Sequence, residues 1–573
     1  MKRLINTLFL LLLTPTSLLH ADALMVNQSM RAPSVAEFFI TKDGVEVKLE
    51  IGVKGSETFK NLLPGSIYSA LGFGERPAEE RRIEFFKRQM MLIDENRQPL
   101  VGKLIEIGPS KRILRDPFNG TPLPIQDEAP EVIRAVLKFA FNGDTLPERL
   151  SFIAPAYQSI GFIAYHKGVA INDFRYLLSG YSLKLDWNDP WYSAFEGRKL
   201  QRQNFAPMSG FIYIEPFEVR KEIIVRPKDL QRWVDLGLEG KRVITVAMQA
   251  RIKEKVSAFL AQHHPVFIDD IPVEGVFESI NFLERTMSSS RVIDSPEPLD
   301  IDAAILGTIF VYPQSTLPKK VVMTWDLWDE RIQSVPTSAV DQEGPFISIL
   351  EPDWPRLEWI NFLKYPFIPT LHAVKEPASP SQVLLAKSFP ICVLLTLLTL
   401  AWLAYSFKHK QSRLLAASLS SIFLAASVAT AQLGKSNNPE QASAEAIVGA
   451  LLHNIYRSFD YREEGDIYDV LATSVSGELL TDIFLETKRS LVLANQGGAA
   501  AKVKNVVLES VEIQPDSTQG SFSVNADWTV NGSVGHWGHI HKRSNRYLAE
   551  LIIVVDGDQW KLQEMSVLQE ERL

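Results

Sequence analysis

Two uncharged runs constrain this chain more than any other feature. Phe389–Phe407 is about 19 residues long with no charge, close to what a helix needs to cross the hydrocarbon core of a bilayer. Leu414–Leu433 follows after a short basic stretch and is again uncharged, though richer in Ala and Ser. Trp402 and Tyr405 lie near the end of the first run, and Lys408, Lys410 and Arg413 come next. Interfacial aromatics followed by positive charge mark a cytoplasmic helix end. The pattern predicts an integral membrane hairpin: a transmembrane helix over 389–407, a cytoplasmic loop over 408–413 and a second transmembrane helix over 414–433. A second reading stays open. Lys408–Arg413, the apolar Leu414–Val428 and Ala429-Thr430-Ala431 also form a signal-peptide-like pattern with a cleavage site.

The start of the chain supports export. Lys2 and Arg3 precede an apolar stretch through Leu8–Leu13, and Ala21-Asp22-Ala23 is a small-x-small site, so 1–23 reads as a signal peptide. Cys392 is the one cysteine and lies inside the first uncharged run, so no intramolecular disulfide supports the exported domains. They stand on their apolar cores. With 573 residues, several domains are expected. Lys and Arg number 60 against 68 Asp and Glu, a formal net charge of −8 that offers no bulk attraction to nucleic acid, and none is expected as a partner.

Between the leader and the hairpin the chain resembles itself at a spacing of roughly 170 residues. Pro99-Leu100-Val101-Gly102 answers Pro272-Val273-Glu274-Gly275, Thr145-Leu146-Pro147-Glu148-Arg149 answers Thr316-Leu317-Pro318-Lys319-Lys320, and Phe139-Ala140-Phe141 answers Phe310-Val311-Tyr312. The alternating strand Val45–Leu49 has its counterpart in Val219–Val225. This predicts a duplicated β-rich α+β domain, one copy over 24–210 and the other over 211–375. Helical spacing appears at Glu57–Leu71, Ala78–Met90, Lys228–Leu236 and Val246–Gln262, and Lys42-Asp43-Gly44 suits a hairpin turn. The Pro- and Ser-containing stretch 376–388 reads as a linker to the membrane.

After the hairpin, the polar Ser436–Gln441 leads into helical patterns over Ala444–Phe459, Ile467–Val475 and Leu479–Leu493. Alternating strands follow over Phe522–Val530 and Tyr547–Val555, and then the turn Asp556-Gly557-Asp558 leads to Trp560 and Leu562. This order and the Asp-Gly-x-x-Trp-Lys ending at Asp556–Lys561 resemble the nuclear-transport-factor-2-like (NTF2-like) superfamily. The resemblance implies an α+β cone over 443–573 with one open mouth. Superfamily members include enzymes and binding or assembly domains, so the likeness assigns no chemistry. Gly161–Gly168 and Asn172–Tyr176 resemble bacterial envelope proteins rather than an enzyme family.

Candidate site residues are few. In His536-Trp537-Gly538-His539-Ile540-His541, a strand places His539 and His541 on one face, a spacing that suits a shared metal or a ligand-lining polar face; Lys542 and Arg543 beside them repel a cation. Whether a metal binds is left open. His536, His539, His541, Asp527 and Trp528 are the residues expected at the mouth of the cone. His263 and His264 with Asp269 and Asp270 also carry donor atoms, but a helix end and a hairpin turn account for them. Trp187, Trp191, Tyr192, Trp354 and Trp359 form a possible interaction surface, with core packing as the rival reading. No catalytic residue is assigned, no cofactor is implied, and no phosphate loop, zinc-protease helix or nucleophile elbow is present. The expectation is a bacterial inner-membrane protein with large domains facing the periplasm, which binds protein partners in the envelope without evident catalysis. The alternative is a small-molecule sensor or enzyme using the mouth of the cone.

Overall fold

The computed structural model describes residues 28–113, 129–143, 145–155, 159–197, 200, 202, 206–285, 290–293, 297–374, 380–409, 413–433, 439, 441–497, 500–515, 520–537 and 539–573. The expected signal peptide lies outside these residues. The chain is multidomain and β-rich, and it forms two compact units, one ending at Lys364 and the other running over Tyr365–Leu573.

The first unit has two lobes. Lobe one contains β1 (Ser34–Thr41), β2 (Gly44–Ile51), α1 (Gly65–Ala70), α2 (Ala78–Arg88), β3 (Met91–Asp94), β4 (Val101–Lys111), β5 (Glu131–Ala140), β6 (Arg149–Ile153), β7 (Ile160–His166), β8 (Val169–Ala170), β9 (Arg175–Leu177), β10 (Tyr181–Lys184) and β11 (Ala194–Phe195). Lobe two contains β12 (Met208–Ile214), β13 (Glu218–Val225), α3 (Pro227–Leu230), β14 (Val243–Ile244), α4 (Val246–Leu260), β15 (Val266–Ile268), β16 (Ile271–Val273), β17 (Val276–Arg285), β18 (Ser290–Val292), β19 (Leu299–Asp300), β20 (Ile305–Pro313), β21 (Lys320–Thr324), β22 (Val335–Val340), β23 (Pro345–Leu350) and β24 (Arg356–Ile360).

The two main sheets have one topology. Their strand orders are β4-β5-β2-β1-β7-β8 and β18-β17-β20-β13-β12-β22-β23. In each, the single parallel pairing falls at the corresponding place, β1 with β7 and β12 with β22. The smaller sheets share the run β3-β6-β10 and β15-β21-β24. Each lobe has its own apolar core.

The paired glycines occupy matching positions for a steric reason. Gly102 lies opposite Phe139, and a Cβ there would come within 2.9 Å of the Phe139 ring and 2.3 Å of Phe86; a Cβ on Gly275 would meet the Tyr312 ring at 2.7 Å. An aromatic ring covers the glycine in both lobes. The ladders also correct one match. Val45 pairs with Phe139 and Val219 with Tyr312, so Phe139 corresponds to Tyr312 rather than Phe310. The slip is two residues, which keeps every side chain on its face. Pro147 and Pro318 match as well: their carbonyls accept from Trp187 Nε1 (2.7 Å) and Asn361 Nδ2 (3.2 Å).

Some boundaries move. Lobe two begins at Met208, inside the stretch read as the first copy. The helix expected over Glu57–Leu71 is a 3-10 turn at Lys60–Leu62 followed by α1, because Pro64 interrupts it with an extended backbone (φ −52°, ψ 146°). Lys228–Leu236 keeps a single turn, α3.

The second unit holds α5 (Pro380–His409), α6 (Arg413–Leu433), α7 (Gln441–Arg457), α8 (Glu464–Ala472), α9 (Gly477–Gly497), β25 (Ala500–Ile513), β26 (Ser521–His536), β27 (His539–Asp556) and β28 (Gln559–Arg572). α5 and α6 are long and apolar enough to cross a membrane over Lys387–Ser406 and Leu414–Ala431. They pack on one another, with Thr396 and Ser427 hydroxyls 3.0 Å apart. Strands β25 to β28 form an antiparallel meander over which α7, α8 and α9 enclose one core.

Candidate functional site

The interior of the C-terminal domain is built from one transverse row of cross-strand neighbours. Leu508 pairs with Trp528, Trp528 with Tyr547 and Tyr547 with Glu570, so all four project from the same face of the sheet. Trp528 and Tyr547 are fully buried, stacked with ring centroids 5.6 Å apart. Trp528 Nε1 donates to the Tyr456 hydroxyl from α7 at 3.3 Å, and Asn545 Nδ2 donates to the Tyr547 hydroxyl at 3.1 Å. Burial pushes the Tyr456 phenol up, and burial and then the neighbouring Tyr456 do the same to Tyr547. Glu570 is half-buried at the end of the row; burial raises its carboxyl, partly offset by a hydrogen bond with Tyr547. At neutral pH the tyrosines are neutral hydrogen-bonding groups in an aromatic interior.

Of the residues expected at a mouth whose side chains are described, Trp528 belongs to this interior and Asp527 does not. Asp527 is its strand neighbour and therefore faces the other way, held in a bidentate ion pair by Arg546 (3.0 and 2.7 Å). His536 and His539 face each other at the β26–β27 turn, and His541 pairs with Val534; their side chains lie outside the described residues. Tyr456, Asn545, Tyr547 and Glu570 were missed by sequence reading. The alternation of β27 showed that Tyr547 faces inward, but nothing local marked Glu570 as its partner.

A second feature also escaped the sequence. Tyr365–Val374, read as the end of the second β-rich copy, belongs to the C-terminal unit and lies along α7 as a strap. His372 donates its backbone N–H to Asn454 Oδ1 (2.7 Å) and accepts from Asn454 Nδ2 (3.0 Å). The His372 and His453 rings stack 3.6 Å apart and only 2° from parallel, and His453 Nε2 donates to the Thr370 carbonyl at 2.9 Å. The Arg457 guanidinium lies 5.2 Å from the Phe367 ring centroid, and Val374 joins the domain core. Burial lowers the His453 imidazole, partly countered by its bond to Thr370.

The five aromatics of the expected interaction surface do not form one. Trp191 and Trp359 are buried, the first between Arg202 and Arg226, the second donating Nε1 to Asp341 at 2.9 Å. Trp187 is held by Pro147 and the His166 ring, and Tyr192 donates to Asp229 at 2.6 Å. Trp354 alone is exposed, at 76%. Tyr192 and Asp189 instead join a charged seam between the lobes. Fully buried Arg226 bonds Asp189 (3.0 Å), Asp229 (2.6 Å) and the Asp302 carbonyl (3.1 Å), while Lys167 reaches Asp302 at 3.3 Å.

His263 and His264 are likewise structural. Asp326 holds both at 3.0 Å, and the His264 ring stacks on Trp325 at 3.8 Å. Asp269 and Asp270 form the β15–β16 turn with φ of 51° and 65°, as a tight hairpin requires. Among the described residues no three His, Cys, Asp or Glu side chains gather as metal ligands.

No family model and no curated protein matches this chain. Among solved structures, the intermembrane space region of chloroplast protein ARC6 is similar to it with 19% identity, over 23% of this chain and 98% of that one, at a TM-score of 0.18. At that score the likeness carries nothing about function here.

Proposed function

We propose that this chain is a bacterial inner-membrane protein with its large domains in the periplasm, where duplicated β-rich lobes and an NTF2-like C-terminal domain bind other envelope components without catalysis. One observation carries the reading: the space between helices and sheet in the C-terminal domain is occupied by Trp528, Tyr547, Tyr456, Phe522 and Trp560. A domain filled with its own aromatic side chains offers its outer surfaces for recognition.

Glu570 supports a second reading. A half-buried carboxyl with a raised pKa beside a buried tyrosine is a functional-site pattern, and it suits a small-molecule sensor or enzyme. In-cell photo-crosslinking from exposed Phe362 and Tyr468 tests the first reading. Discrete protein adducts are expected from both positions. Adducts to lipid alone, together with a metabolite that raises the melting temperature of the chain but not of its Glu570→Gln variant, would replace it with the second.

A further inference from the structure

Strand β23 ends the main sheet of lobe two, and among the described residues no strand pairs with its outer edge. Its apolar side chains are uncovered: Phe346 is 53% exposed, Ile347 82% and Ile349 63%, with Trp354 beyond the strand end. Natural edge strands are usually shortened, bulged or charged, because a bare edge recruits other strands. The corresponding edge of lobe one follows that rule. There the edge is split between β8, two residues long with Val169 and Ala170 buried, and β9, three residues long and carrying Arg175. The two lobes share a topology, yet at this edge lobe two has a continuous six-residue strand and lobe one does not.

The charges around the edge indicate what fits it. Glu343 precedes β23, Glu351 and Asp353 follow it, all three are exposed, and no Lys or Arg occurs from Asp341 to Pro355. A second copy of this chain is a poor occupant: antiparallel pairing places Glu343 of one copy beside Glu351 and Asp353 of the other, and parallel pairing sets like against like. Acidic flanks also disfavour an anionic lipid surface. An extended segment with alternating apolar residues and Lys or Arg at its ends satisfies both the open ladder and the charges. We propose that β23 is a strand-addition site for such a segment of another protein. This rests on the binding role proposed above and gives it a location.

The test uses the full chain in detergent and a labelled peptide, acetyl-Lys-Lys-Val-Thr-Ile-Thr-Val-Lys-Lys-amide, with a counterpart carrying Glu at both ends. Ile347 and Ile349 point away from the core, so an I347K/I349K double variant keeps buried Leu350 in place. The lysine-ended peptide is expected to bind roughly tenfold or more tightly than its glutamate counterpart, with a similar loss in the double variant. Equal binding of the two peptides, no binding of either, or binding unchanged in the variant overturns the proposal. So does a concentration-dependent dimer abolished by the double substitution, which would make the occupant a second copy. A nitroxide on Ile347→Cys in a Cys392→Ser background separates the remaining source: greater access to oxygen than to a nickel complex in reconstituted bilayers would assign the edge to lipid. If the peptides fail while the cross-linked adducts from Phe362 and Tyr468 persist, the edge assignment falls and the binding role stands.

Discussion

Two buried histidines make the β-rich unit acid-sensitive. His166 and His264 are fully buried, and burial, the main cause in each, lowers both imidazoles from 6.5 to about 4. Above 6.5 each is neutral whether folded or unfolded and neither costs stability. Below it the unfolded chain takes up protons that the folded chain refuses, so stability falls progressively between about 6.5 and about 4, by up to on the order of 3 kcal/mol per histidine. Asp326, raised by burial but brought down to about 2 by its bonds to His264 and His263, titrates below this window and does not offset the loss. Melting of the β-rich unit should therefore drop steeply from pH 7 to 5, and a pH-independent melting temperature there would contradict both burials. Arg226→Ala should be worse at any pH. It removes the fully buried cation that Asp189 and Asp229 share at the lobe junction, leaving them only the partly exposed Lys228 (3.6 Å) and Arg232 (2.9 Å), and a broken buried pair costs up to about 3–5 kcal/mol, readable in chemical denaturation.

At the scale of elements, local periodicity was legible and long-range partnership was not. β2, α2, α4 and the inward face of β27 follow from alternation or helical spacing, and the Asp556-Gly557-Asp558 turn follows from its residues. Gly102 and Gly275 could be matched because each must leave room for a ring. The strand bearing that ring was matched two residues out of place, because Phe310 and Tyr312 are interchangeable to the eye and only the ladder separates them. The strap escaped because composition changes at 376, whereas its contacts to Asn454 and His453 are made across the whole hairpin. Those contacts carry a prediction. Residues from Gly434 onward, expressed alone, lose the covering of His453, Asn454 and Arg457; splicing Tyr365–Val374 ahead of them through a Gly/Ser linker should raise the melting temperature by on the order of 5 °C or more. The spliced strap carrying His372→Ala and Phe367→Ala should lose the share of the gain that its ring contacts to His453 and Arg457 supply, and Asn454→Ala, which removes both bonds to the His372 backbone, should lose the rest. Identical melting of the two fragments would show that the strap lies on the domain without stabilising it.

For the whole molecule, the strap fixes topology by parity. Tyr365–Val374 precedes α5 and touches α7, which follows α6. Segments in contact lie on the same side of any membrane that α5 and α6 enter, so the pair crosses twice or not at all. A single crossing would pull His372 away from Asn454. Two crossings agree with the mutual packing of α5 and α6 and with the Thr396–Ser427 contact, where a hydroxyl from each helix meets the other. The orientation proposed above rests on charge: Lys408, Lys410 and Arg413 cluster at the short connection, and basic connections favour the cytoplasm. Phosphatase fusions after Glu376 and after Ala442 should both be active, and a fusion after Gln411 inactive. Activity after Gln411 would mean that the apolar pair does not place its connection in the cytoplasm. Inactivity after Ala442 with activity after Glu376 would mean an odd number of crossings, which the contact between His372 and Asn454 forbids; the strap, rather than the charge rule, would then be the element to abandon.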